Sequence, residues 1–296
     1  MSKKEKWLIE ITPNKSLFAI NFKEIWKYRD LLILFVKRDV ITKYKQTILG
    51  PLWYLIQPLF TSVIFTLIFN NLASISTGTV PAFLFNLAGI TCWNYFKDCL
   101  TETSDTFKKN EAIFGKVYFP RVIMPMSTIF SNLLKLGIQL LIFICFYVYY
   151  VLAEGMPVAI GWQLLYVPIL IFSMGFIGLG LGMIISSMVT KYRDLSFLVA
   201  FGVQLLMYLS GVMYSVSELE EKLGDYPGIV GFVKYNPITT TIETFRKTVF
   251  EIKNAQGVLE TASILDIGYV VLISMSIFLV GLVIFNKTEK SFIDTI

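Results

Sequence analysis

The stretch KYKQTILGPLWYLIQPL, Lys43 to Leu59, decides the fold, because a basic segment stops at Gly50-Pro51 and an uncharged one begins. No Asp, Glu, Lys or Arg lies between Gln46 and Phe96. The run from Pro51 to about Asn70 can therefore cross roughly 30 Å of hydrocarbon as a helix. The composition points the same way. The chain is 55% hydrophobic and 16% charged, with a mean hydropathy of +0.66, which is too apolar for an ordinary soluble domain. The expected fold class is an all-α integral membrane protein.

Outward from Gly50 the chain divides into segments. Residues 1 to 24 are polar and basic, broken by Pro13, and without the apolar core of a signal peptide. They are expected to be a cytosolic N-terminal segment. Over 25 to 46, Tyr28, Leu32, Val36, Val40 and Tyr44 recur four apart beside Leu31 and Phe35, while Lys37, Arg38, Lys43 and Lys45 occupy other faces. This predicts an amphipathic helix lying in the membrane interface, with those four cations facing anionic headgroups or a lipid diphosphate. Six spans follow within 52 to 285, at 52–71, 83–107, 123–152, 162–188, 195–214 and 264–285, and a cytosolic tail occupies 286 to 296.

Orientation comes from counting Lys and Arg on alternate sides. Nineteen fall on the N-terminal side and five on the other, which puts both termini in the cytoplasm. The long external segment 215 to 263 carries its own signals: Asn236 as a cap, Pro237 at the first helical position, and an apolar stripe of Ile238, Ile242, Phe245 and Val249. It predicts two short helices, either lying in the outer interface or dipping into the membrane where protein covers them.

Several chemistries are excluded or disfavoured. The chain has no histidine, so a zinc site or a Ser-His-Asp hydrolase is not expected. Cys92, Cys99 and Cys145 lack metal or redox spacing and read as buried thiols. No charged tail suggests nucleic acid. Gly175, Gly178, Gly182 and Ser186 share one helical face as a close-packing seam, and without a Walker Lys-Ser/Thr they bind no phosphate. In the second span Asn94, Lys97, Asp98, Thr101 and Glu102 form a polar stripe. It marks either a water-filled or paired interior path or an early cytosolic exit of that helix. Trp53, Tyr54, Trp93, Tyr95 and Tyr208 are aromatic candidates for a channel lining, since sugar rings stack their C–H faces on aromatic planes. Two short basic cytosolic elements, 108–121 with Lys109, Phe114, Lys116, Tyr118 and Arg121, and 190–195 with Tyr192, Arg193 and Asp194, suit a soluble partner.

Taken together, DVITKYKQTILGPLWYLIQPL (39–59), KVYFPRVIMP (116–125), TKYRDLSF (190–197), YNPITTTIETFR (235–246) and FNKTEKSFID (285–294) resemble the membrane subunit of ABC-2 type polysaccharide exporters, the O-antigen export (Wzm-like) permeases. The resemblance implies a homodimer with the channel between protomers and a gate in the external segment involving Asn236, Pro237, Thr239 and Arg246. It further implies a separate Wzt-like ATPase, in two copies, that docks on the short cytosolic elements. ATP and Mg would sit on that ATPase, so this chain is expected to be a transport subunit and not an enzyme. The cargo implied is an undecaprenyl-diphosphate-linked O-antigen crossing the bacterial inner membrane. Teichoic acid or capsule export is the nearest alternative. A proton-coupled secondary transporter using Lys97, Asp98 and Glu102 is a more distant one.

Overall fold

The computed structural model describes residues 22–45, 47–114, 119–157, 161–192, 194–253 and 259–292. Lys116, Tyr118 and Arg193, and the expected cytosolic segment up to residue 21, lie outside the described residues. Among the described residues the architecture is helical, apart from a two-residue antiparallel ladder between β1 (Ile252–Lys253) and β2 (Leu259–Glu260).

The expected interface helix is broken. α1 (Phe22–Lys27) stops at a turn on Tyr28, and α2 (Arg29–Tyr44) continues. Phe35 is buried and Leu31, Leu32 and Tyr28 are half-buried, while Ile33, Leu34 and Ile41 are exposed, so α2 rests one face on the bundle. After Gly50-Pro51, whose residues form a short 3₁₀ turn, α3 (Trp53–Phe65) begins and runs on as a π-helix over Thr66–Leu72. Asn86 holds that π segment: its Nδ2 donates to Thr66 Oγ1 at 3.1 Å and to Asn70 Oδ1 at 2.8 Å.

Among the described residues, four helical stretches are long and apolar enough to cross a membrane: Gly50–Leu72, Ile123–Glu154, Trp162–Lys191 and Ile264–Glu289. The other two expected spans differ. α4 (Ala82–Ser104) has the length but carries the charged stripe, and after Asp105 the short helix α5 (Thr106–Phe114) follows. α8 (Leu195–Tyr208) has 14 residues, about 21 Å of helix. The expected span to residue 214 is thus corrected: the helix ends at Tyr208, and the chain turns through Gly211, whose φ of +61° suits a residue without Cβ. The remaining long helices are α6 (Ile123–Glu154), α7 (Tyr166–Lys191, after a 3₁₀ turn at Trp162–Leu165) and α12 (Ile264–Phe292).

The core is α7 between α4 and α12. A Cβ added at Gly178 would stand 2.9 Å from the Phe96 carbonyl oxygen, and one at Gly182 2.8 Å from that of Leu100, so the predicted small-residue face is the α4–α7 seam. A second seam was not expected. Gly180 and Gly281 meet across α7 and α12, where a Cβ on Gly281 would come within 2.3 Å of the Gly180 carbonyl oxygen.

The segment expected to be external holds three short helices, α9 (Val216–Leu223), α10 (Pro227–Lys234) and α11 (Pro237–Val249), one more than expected, followed by the β ladder. α11 begins as predicted, with Asn236 Oδ1 accepting from the Ile238 amide at 3.0 Å and Pro237 at the first position. Its burial is not that of a helix lying on a surface. Thr239, Thr241, Glu243, Thr244, Arg246 and Thr248 are buried as well as Ile238, Ile242 and Phe245, so protein covers most of α11, with Pro237, Thr240, Lys247 and Val249 half-buried.

The loops sort into two ends. At one, Thr79 Oγ1 donates to the Glu251 carbonyl at 3.0 Å and Tyr147 Oη to that of Val249 at 3.2 Å. At the other, Phe107 stacks on Phe285 at 4.7 Å, and Arg121 Nη1 donates to the Glu289 carbonyl at 3.3 Å.

Candidate functional site

The charged stripe of α4 is paired. Asp98, 9% exposed, forms an ion pair with Lys135, the one charge of the third expected span. Lys135 also places its ammonium 4.7 Å from the centre of the Tyr54 ring. One turn along α4, Glu102 accepts from Lys43 of α2 at 2.5 Å and from Asn132 Nδ2 at 3.2 Å. On α2, Arg38 binds Asp39 at 2.8 Å, and its Nη1 donates to Asn110 Oδ1 at 3.3 Å. A cleft of about 320 Å³ opens here between α2, α5 and the start of α6, lined among others by Arg38, Lys43, Glu102, Lys109, Asn110 and Thr128.

The carboxylates of the stripe are thus paired within the chain: α2 and α6 bring partners to Asp98 and Glu102, while Lys97, Thr101 and Glu102 stay partly exposed. Lys135, Asn132 and Asn110 escaped the sequence reading. The first looked like a lone charge in an apolar span, and an Asn gives no periodic signal. Of the four interface cations, Arg38 and Lys43 are engaged inside the protein, and Lys37 and Lys45 are exposed.

The aromatic candidates separate. Trp93 and Tyr95, 2% and 3% exposed, are packed inside the protomer, with Tyr95 against Gly175, and so leave the lining set. A side chain enclosed by its own bundle presents no surface to a passing sugar. Trp53 and Tyr208 are about half exposed, and Tyr54, Asn94, Lys97 and Thr101 are half-buried on the same side of the chain's packing as the charged cluster or next to it.

Beside the cleft of the charged cluster, the two short elements converge. α5 packs on α7, and a cavity of about 220 Å³ opens between them, lined by Ser104, Lys108, Glu111, Ser186 and Thr190. Lys109, Tyr192 and Asp194 are exposed at this end. Phe114 and Arg121 turn inward, with the guanidinium over the Phe114 ring at 5.0 Å and within 3.9 Å of the Glu289 carboxylate, so they brace α5 against α12 and offer no docking surface. Burial presses the Arg121 guanidinium below its ordinary value, and Glu289 opposes that shift.

The expected gate residues form a different kind of site. Where α8 stops, the carbonyls of residues 209 to 214 lose their helical partners, and α11 supplies new ones. Asn236 Nδ2 and Thr239 Oγ1 each donate to the Leu209 carbonyl at 3.4 Å. Arg246 Nη1 donates to Gly211 at 2.7 Å, and its Nη2 to Val212 at 2.6 Å and to Phe85 at 3.2 Å. The guanidinium lies 3.5 Å over the Phe85 ring, and Glu243 accepts from the Val216 amide at 2.7 Å. Non-helical backbone inside an apolar bundle persists only where protein satisfies it, and Arg246 bonds the carbonyls of Gly211, Val212 and Tyr214 while Asn236 and Thr239 bond that of Leu209. Nearer the surface, Lys247 binds Glu260 at 3.0 Å. Burial opposes its charge, but that hydrogen bond and the carboxylates of Glu243 and Asp266 outweigh it and hold the ammonium above its usual range.

Comparison with known proteins places these features. The model of the ABC-2 type transporter membrane family matches residues 30–250. The O-antigen export system permease protein RfbA of Klebsiella pneumoniae is 28% identical over 268 residues, covering 90% of this chain and 94% of that one. A protein of the same name from Myxococcus xanthus is 23% identical over 68% of this chain and 74% of its own length. The capsule polysaccharide export inner-membrane protein CtrC of Neisseria meningitidis is 20% identical over 86% and 89%.

Proposed function

This chain belongs to the ABC-2 type transporter family, and on that premise we propose that it is the permease subunit of an ATP-driven exporter of lipid-linked polysaccharide, an O-antigen, across the bacterial inner membrane. Relatives over nine-tenths of its length bear the name of O-antigen export permeases. Both termini face the cytoplasm, by the excess of Lys and Arg on that side. α4 and α8 complete six crossings, α8 with the help of the α11-supported turn. Two copies pair around a channel, with Trp53, Tyr54, Tyr208 and the open edge of the α4 stripe towards the cargo. α9 to α11 close its outer mouth. Lys37 and Lys45 meet anionic headgroups, and Arg38 and Lys43 tie α2 to the bundle.

The observation that carries the reading is the convergence of α5 and the end of α7 on one cleft. Conformational drive must enter where a partner makes different contacts in its two nucleotide states. A cleft lined by Lys108, Glu111 and Thr190, with Lys109 and Tyr192 exposed on the same two elements, offers such a seat at the Lys- and Arg-rich end to two copies of a cytosolic ABC ATPase, which would carry the ATP and Mg. Capsule export is the second reading, favoured by the resemblance to CtrC. A proton relay through Asp98 and Glu102 is a weaker one, because Lys135 and Lys43 already engage both carboxylates.

The test is co-purification with the cognate ATPase and an ATPase assay in nanodiscs. Lys109→Glu combined with Tyr192→Ala is expected to lower co-purification at least tenfold while the permease stays monodisperse. Uptake or export driven by an ion gradient without the ATPase would end the reading.

A further inference from the structure

The two pairs on α4 do not balance. Glu102 is matched by Lys43, but Asp98 stands between two cations: Lys135, with which it forms an ion pair, and Lys97, whose ammonium is 4.0 Å from Oδ1. One formal positive charge is left over inside the bundle. The surplus lies at Lys97, about one-third exposed, where α3, α4 and α6 meet.

Lys97 leans along α4 away from α2, as helical side chains lean towards the N-terminus, and its Nζ donates to Asn94 Oδ1 at 3.3 Å. A cation can be favoured by the negative end of a helix dipole, but that effect fades within the last turn, and Lys97 precedes Ser104 by seven residues. Lys97 and Asp98 sit four to five residues before Glu102, about 7 Å along the axis from where Lys43 of the interface helix makes contact. A ligand that fits has an anionic head at that depth and an apolar tail beside it.

We propose that Lys97 and Lys135, spaced by Asp98, bind the phosphate of a lipid amphiphile just below headgroup level. The proposal rests on the membrane placement given above. Asp98 holds Lys135 in position without cancelling both cations, and Asn94 keeps the Lys97 ammonium turned away from α2. A phosphate there gains one uncompensated charge and two ammonium donors in a setting of low dielectric. The phosphate has two sources, a bilayer phospholipid or a polyprenyl diphosphate of the cargo type.

The test measures binding alone, so its failure is separate from a failure of the transport reading, which would show in export assays. The full-length chain, purified in detergent, is given phosphatidylglycerol, undecaprenyl diphosphate, or uncharged diacylglycerol as control, and retained lipid is read by native mass spectrometry. Lys97→Gln is expected to cut retention of phosphate-bearing lipid about tenfold without changing diacylglycerol, and Lys97→Arg to keep it. Asp98→Asn, which frees Lys135, is expected to raise retention severalfold and gives a gain to look for if Lys97→Gln folds poorly. Loss of both anionic lipids assigns the site to any lipid phosphate, and loss of undecaprenyl diphosphate alone assigns it to cargo. Unchanged retention in a monodisperse Lys97→Gln, or in Asp98→Asn, overturns the proposal.

Discussion

Arg246 and Lys135 are both cations buried among helices, but they are built into the chain in opposite ways. Arg246 is fully buried, and the partners named for it are backbone carbonyls, those of Phe85, Gly211, Val212 and Tyr214. Carbonyls are fixed by the chain path, so the bonds hold only one arrangement, and the site serves as a brace. Lys135 pairs with a carboxylate that also faces Lys97, one turn from the Lys43–Glu102 pair and a sizeable cleft. Side-chain pairs can exchange partners at small cost in backbone movement. The Arg246 cluster therefore reads as structure, and the α4 cluster as a place where an ion or a helix can move.

Removing the brace should have the largest effect. Arg246→Met keeps the volume but strands the carbonyls of the 209–214 turn, and hydrogen bonds to a charged group are each worth about 1.5–3 kcal/mol. A loss of about 3–4 kcal/mol is expected, read as a steep drop in melting temperature in detergent and in membrane-inserted yield. Lys135→Gln, by contrast, should remain folded. If the two variants lose stability equally, the distinction between brace and movable pair is gone.

A smaller effect is expected from crowding the brace without deleting it. A Cβ on Gly89 would lie 2.3 Å from Arg246 Nη2 and 2.6 Å from the Val212 carbonyl oxygen. Gly89→Ala should therefore displace the guanidinium and cost about 1–3 kcal/mol, as overpacking does. Calorimetry of Gly89→Ala against Gly137→Ala, whose Cβ would meet nothing, gives the internal control. Equal melting temperatures would mean that the cage is loose.

The same contrast explains what was legible in the sequence. Charge-free apolar runs marked the long helices, because hydrocarbon imposes length and polarity directly. Asn236 and Pro237 marked the start of α11, and the Gly175–Gly178–Gly182 spacing marked the α4–α7 seam. The early stop of α8 did not show, since Leu209 to Tyr214 is as apolar as the helix before it and Gly211 is the one irregular signal. The family resemblance singled out Arg246 as a gate residue, but its bracing role was hidden: its partners are carbonyls, which every residue has and no sequence pattern announces. Gly180 was passed over because it faces away from the other glycines and its counterpart, Gly281, lies on α12. The Asp98–Lys135 pair joins α4 to α6, and no spacing along either helix reveals it.

The smallest effect on stability, and the sharpest test of movement, belongs to Lys43 and Glu102. Both side chains are about one-quarter to one-third exposed, so the pair should contribute less than about 1 kcal/mol to folding, and less still at high salt. Its consequence is positional, since it fastens α2 to α4 at the level where the cleft opens. Lys43→Gln should leave the melting temperature within a degree or two while hydrogen exchange over 29–44 rises. Glu102→Gln should loosen α2 by a similar amount and also weaken the Asn132 contact. The exchanged pair Lys43→Glu with Glu102→Lys should restore protection of α2, because the attraction survives reversal even though the Asn132 bond does not. If α2 exchanges at the same rate in all four proteins, its seat is set by Phe35 and its apolar neighbours alone, and the α4 cluster is as static as the Arg246 cluster.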